Sequence, residues 1–121
     1  MKTITKQFLQ NNPGVVFVFG DNLKRKGTGG AAKLRNEPNV YGFITKKYPS
    51  NSDSSFYQPA EYKKVFDGEM AKLIMMIKQN NEKVFYISKL GSGLANRYNI
   101  YSIIIEPGLK KLEKYDNVVI M

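Results

Sequence analysis

The run Val15-Val16-Phe17-Val18-Phe19 is apolar on successive residues; it opens into Gly20-Asp21-Asn22 and, after a basic stretch, into Gly27-Thr28-Gly29-Gly30-Ala31-Ala32. β-Branched and aromatic residues without alternation suit a strand covered on both faces, the kind from which parallel sheets of α/β proteins are built. A strand that ends in a glycine-rich loop opening a short helix makes a phosphate cradle, because backbone N–H groups can approach an anion with no side chain in the way. A second loop of similar character, Ser88-Lys89-Leu90-Gly91-Ser92-Gly93-Leu94-Ala95, follows another apolar run. Two such loops imply a ligand with more than one phosphate, or with a phosphate and a sugar.

Around these loops the chain reads as one domain, 1–121, with strands expected at 3–8, 15–19, 40–45, 84–88 and 118–121. Phe66, Met70, Leu73, Ile74 and Ile77 recur at helical spacing and predict a helix over 59–80, stopped by Asn80-Asn81. A second helix is expected over 99–114, with Ile100, Ile103, Ile104 and Leu112 inward and a kink or break at Pro107-Gly108. A short helix over 29–35, ended before Pro38, completes a βαβαβ order. The polar stretch 50–55 behind Pro49 reads as an exposed loop.

Composition narrows the chemistry. The chain has no cysteine and no histidine, which excludes disulfides, thiol catalysis, Ser-His-Asp triads and histidine relays, and leaves no expectation of a metal or other cofactor. A formal charge of +9 favours anionic partners. Lys24, Arg25, Lys26, Lys33, Arg35, Lys46 and Lys47 crowd into the stretch between Asn22 and Tyr48, opposed there only by Glu37. No apolar stretch is long enough to span a membrane, and the first residues lack the apolar core of a signal peptide. The expectation is a soluble cytoplasmic monomer, or a viral protein acting in the host cytoplasm, with no membrane partner.

Two familiar nucleotide motifs do not fit. The segment 27–32 matches G-x-G-x-x-A in letters, but six residues separate it from the strand and no acidic residue follows at the offset that holds a ribose. No Gly-Lys-Ser/Thr occurs, so a Walker loop is excluded. Asn22 is a candidate for holding a ribose hydroxyl or a water, or it caps its own turn; Asp21 is open in the same way. Lys46 and Lys47 end the third strand, where a lysine can pair with phosphate, attack a sugar carbon if desolvated, or stay solvated.

Taken in order, strand-Gly20-Asp21-Asn22, the glycine loop running into Ala31-Ala32-Lys33-Leu34, Tyr41-Gly42-Phe43-Ile44-Thr45-Lys46-Lys47 and Ile87-Ser88-Lys89-Leu90-Gly91-Ser92-Gly93-Leu94-Ala95 resemble the macrodomain superfamily. The likeness is greatest to small macrodomain-like proteins of bacteria and their viruses and to the terminal ADP-ribose protein glycohydrolase branch, and it runs from about Val15 to the end. It implies a three-layer α/β/α sandwich around a mixed sheet, with ADP-ribose across the carboxyl edges of the strands. It brings Gly27, Thr28, Gly29, Gly30 and Ala31 to the distal ribose and wraps Gly91, Ser92, Gly93 and Leu94 around the diphosphate, with Gly20, Ser88, Leu90 and Ala95 as further ligand-binding candidates. In the glycohydrolase branch a lysine in an Ile-Thr-Lys-Lys context attacks the ribose, and Lys46 stands in that place. The partner aspartate of that branch is here Ala95, so proton transfer would fall to Asn22, Asp21 or a phosphate-held water. The Gly-Asp that contacts adenine has no counterpart at 7–14.

The leading expectation is therefore ADP-ribose recognition, with removal of ADP-ribose from a modified protein or nucleic acid or processing of a derivative, catalysed through Lys46, Asn22 and Asp21. The alternatives are a non-catalytic module that binds or sequesters ADP-ribose or a related nucleotide, and a basic nucleic-acid-binding protein. The last draws on the charge and on aromatics interleaved with basic residues at 41–48 and 57–66.

Overall fold

The computed structural model describes residues 3–27 and 29–121. Its core is a four-stranded sheet in the order β2-β1-β3-β4, formed by β1 (Val15–Asn22), β2 (Val40–Lys46), β3 (Val84–Ile87) and β4 (Val118–Ile120). The pairings among these four strands are all parallel, where the macrodomain resemblance leads one to expect a mixed sheet. Each pair of consecutive strands is joined by a long, helix-bearing connection, and among the described residues no hairpin joins two of these strands.

β1 carries both cores. Its residues Val16 and Val18 face α2 (Pro59–Gln79) and the C-terminal helical segment, where Tyr62, Phe66, Leu73, Ile77, Ile100, Ile105 and Leu112 are buried. Phe17 and Phe19 face the other way, onto Ile4, Leu9 and Leu34. Burial on alternate sides of one strand explains why its sequence shows no polar alternation. α2 starts behind a capping box, Gln58 with Glu61, and at Pro59, and ends at Asn80.

Three expectations are corrected. Residues 3–8 are not a strand: α1 (Lys6–Asn11) begins there, because Thr5 Oγ1 accepts the Phe8 N–H at 3.0 Å as an N-cap, and Ile4 and Leu9 are buried rather than an alternating set. The short helix after the first glycine loop is a 3₁₀ turn, Gly30–Leu34. The C-terminal helix is neither broken nor uniform: a π turn, Tyr101–Ile105, leads into α3 (Glu106–Lys110) and a 3₁₀ turn, Lys111–Lys114. Pro107 sits at the start of α3, and the wider π turn advances the phase by one residue, so Ile105 is buried and Ile103 is 58% exposed. The stretch 50–55 is exposed as expected through Ser54; only Ser55 is buried, and its carbonyl accepts the Lys47 N–H at 2.8 Å.

The outer edge of β2 is closed by side chains. Glu69 of α2, itself buried, accepts the Ile44 N–H at 2.8 Å; Tyr62 donates its hydroxyl to the Ile44 carbonyl at 2.6 Å; Arg25 donates to the Gly42 carbonyl. Beyond them an antiparallel bridge joins Lys46 to Phe56. Together these contacts use up backbone groups that an open edge would offer to another strand.

Candidate functional site

A cleft of about 580 Å³ opens at the carboxyl end of the sheet. The chain leaves β1 toward β2 on one side and leaves β3 toward β4 on the other, so the cleft lies at the point where the strand order diverges, the place where open parallel sheets bind ligands. Gly20, Asp21 and Asn22 form its floor, Gly27 and Gly29 to Ala32 one wall, Thr45, Lys46, Pro49 and Asn51 a second, and Gly91 and Gly93 to Ala95 a third. The strand register sets Lys46 opposite Asn22, with a break in regular pairing between Asp21 and Asn22.

Asp21 organises the first loop. Its side chain is fully buried, and Oδ1 accepts from Arg35 Nη2 at 2.6 Å and from the Asn22 N–H at 2.8 Å, while Oδ2 accepts from Arg35 Nε at 3.1 Å. Arg25 Nη1 lies 3.5 Å from the same Oδ2. Burial works to raise the Asp21 pKa, but the Arg35 hydrogen bond, the Asn22 N–H and the two guanidinium charges outweigh it and hold the carboxyl below its usual range. Arg35 also donates to the Gly27 carbonyl at 2.7 Å, so one guanidinium ties the strand end to the loop. Arg25 has φ 55, in the left-handed region, within a turn closed by its N–H on the Asn22 carbonyl at 3.0 Å.

Asn22 spends its amide on the loop as well. Nδ2 donates to the Lys26 carbonyl at 2.7 Å and Oδ1 accepts the Lys24 N–H at 3.0 Å. The capping alternative for Asn22 thus describes its contacts, and Asp21 and Asn22 both shape the cleft through the backbone they hold.

Lys46 differs from them. Its Nζ stands 5.0 Å from the centroid of the buried Phe56 ring, and burial lowers its pKa. Lys47 turns away to Glu61 at 2.9 Å, a pairing that raises its own pKa. Arg97 shares the Phe56 ring at 5.0 Å and is ion-paired with Asp53. Among the described residues Lys24, Lys26, Lys46 and Lys89 have no carboxylate within ion-pair distance.

The second loop folds over Gly20, whose Cβ position would lie 3.8 Å from Gly91 N. Gly91 has φ +75, and a Cβ there would come within 2.6 Å of Ile105 Cδ1, so only glycine fits between the cleft and the π turn. Of the residues expected to bind ligand, Gly20, Gly27, Gly29, Gly30, Ala31, Gly91, Gly93, Leu94 and Ala95 line the cleft. Leu90 packs in the hydrophobic core, Ser92 turns its hydroxyl to the Lys89 carbonyl at 2.8 Å, and Ser88 extends the sheet by donating its N–H to the Val18 carbonyl at 3.1 Å. Thr28 lies outside the described residues. Sequence reasoning gave no ligand role to Thr45, read only as context for Lys46, or to Pro49 and Asn51; all three reach the cleft because β2 ends beside it. Among the described residues no three acidic side chains gather to hold a metal ion, and no helix is long and apolar enough to cross a membrane.

Fold and site define an α/β protein with a glycine-lined, basic cleft at the switch point of a parallel sheet. The chain belongs to the family of unknown function DUF7831, whose model matches residues 1–98 and so includes β1 to β3 and both glycine loops. No curated protein and no solved structure matches it significantly.

Proposed function

We propose that this protein recognises ADP-ribose or a derivative of it, and that its sheet and covering helices are a macrodomain-like α/β/α sandwich. The observation that carries the reading is the convergence of both glycine loops and Lys46 on one cleft whose only acidic lining residue, among those described, is already neutralised by two arginines. Such a cleft favours a polyanion, and its volume falls in the range of about 300–1,000 Å³ usual for small-molecule sites. By the resemblance, residues 91–94 wrap the diphosphate and 27–31 approach the distal ribose, which brings that sugar toward Lys46 and Asn22.

A specific observation favours turnover as a second reading. Lys46 has no carboxylate partner and a pKa lowered by burial, which enlarges the fraction of neutral amine able to attack the anomeric carbon of the ribose. Asp21 is committed to Arg35 and Ala95 carries no proton, so the group expelled from that carbon must leave with a proton drawn from water. Recognition is accordingly the primary activity, and turnover rests on Lys46.

Calorimetric titration with ADP-ribose tests both. Binding is expected near the micromolar range, about −8 kcal/mol, and Gly93→Glu should abolish it by placing a carboxylate against the diphosphate. No heat at millimolar ligand overturns the reading. Lys46→Ala should keep the affinity while removing both release from ADP-ribosylated targets and a borohydride-trapped adduct; a parent protein that binds without release is a binder only.

A further inference from the structure

Beyond the cleft, the rim carries exposed groups that do not line it. Tyr48, two residues past Lys46, is 42% exposed, and Lys24 Nζ stands 5.7 Å from its ring centroid. The next residue, Pro49, meets the first glycine loop: a Cβ on Gly27 would lie 3.3 Å from Pro49 Cβ. Tyr48 and Lys24 therefore stand beside residues of the cleft wall, Tyr48 next to Pro49 and Lys24 two residues from Lys26. Lys89 stands at the entry to the second loop and is exposed. These three lysines are without carboxylate partners among the described residues, whereas Arg25, Arg35, Lys47 and Arg97 around the same loops are all neutralised. An exposed aromatic ring set among unpaired cations is how proteins hold single strands: lysines follow the phosphates and the ring stacks an unpaired base. A duplex keeps its bases stacked on one another and offers nothing to the ring.

We propose that this rim is a landing surface for single-stranded nucleic acid, with Tyr48 as the stacking platform and Lys24, Lys26 and Lys89 on the phosphates. A strand laid along it would carry a group attached to one of its nucleotides to the cleft floor. That last link rests on the ADP-ribose reading; the binding of the strand does not.

Fluorescence anisotropy with a labelled single-stranded oligonucleotide of about 15 residues, a length that covers one site, tests the proposal in salt from about 50 to 200 mM. The parent should bind the single strand more tightly than a duplex of the same length or polyglutamate. Tyr48→Ala should weaken binding about tenfold with no change in salt slope, and the double substitution Lys24→Gln/Lys26→Gln should flatten the slope by about 1.4, roughly 0.7 per phosphate released. Unchanged ADP-ribose affinity in Tyr48→Ala would show that the variant is folded and that the two sites are separable. Tyr48→Ala binding like the parent, or equal affinity for single strand, duplex and polyglutamate, overturns the proposal in favour of bare polycation attraction. Either result leaves the calorimetric test of ADP-ribose standing.

Discussion

The Asp21–Arg35 pair offers a direct test of how the first loop is held, through the near-isosteric Asp21→Asn. The change keeps one oxygen but sets an amide NH₂ against a guanidinium, removing two charge-assisted hydrogen bonds, 2.6 and 3.1 Å long, and leaving Arg25 only the Glu69 carboxylate at 3.9 Å. Breaking a buried ion pair by removing one partner costs about 3–5 kcal/mol. Asp21 is fully buried but the Arg35 side chain is 21% exposed and can turn to water, so the lower end applies, about 3 kcal/mol. With a urea m-value of about 2 kcal/mol/M, the midpoint should fall by roughly 1.5 M, and a cycle with Arg35→Met should show most of the loss as coupling. The pH dependence carries a sign. The folded carboxyl lies below its unfolded value, so the stability it contributes is present above the unfolded pKa, about 3.9, and is lost as pH falls through the folded one. The gap between parent and variant should be full at pH 6 and close below about pH 4. A midpoint loss equivalent to less than about 0.5 kcal/mol, the worth of an exposed pair, or a gap indifferent to pH, would refute the view that this pair holds the loop.

Tyr62→Phe leaves the Ile44 carbonyl buried without its donor and should cost about 1–3 kcal/mol in the same urea assay; a neutral result would mean that water reaches the edge of β2. Gly91→Ala should destabilise the fold and weaken ADP-ribose binding, and Ile105→Val, which removes the Cδ1 atom in the way, should recover part of both in calorimetry. Absence of any recovery would show that the φ of +75 at Gly91, rather than the π turn, sets its cost.

Much of the framework could be read from the chain. The apolar runs of β1, β2 and β3 and the spacing of Phe66, Met70, Leu73 and Ile77 in α2 report burial directly, because core contact selects those residues. Where the reading failed, the deciding interaction was local or long-range rather than periodic. Thr5 caps a helix in place of the strand expected at 3–8, and a single π turn moves Ile103 out and Ile105 in. The site shows the same division. Glycine loops announce themselves, but the arginine that neutralises Asp21 stands fourteen residues away, and the contact of Phe56 with Lys46 depends on a bridge that no motif encodes. Leu90 sits within an apparent loop motif yet belongs to the core, because motif spacing does not say which way a side chain turns.

The closure of the β2 edge by Arg25, Tyr62 and Glu69 has a consequence for the order in which the chain is made. β2 is complete at residue 46, but two of its three protectors arrive with α2, and the second only at position 69. A growing or truncated chain that stops between these points presents an unguarded strand beside a finished neighbour, β1, with which it already pairs. That interval is where self-association would start, and it ends only when the first three turns of α2 have formed.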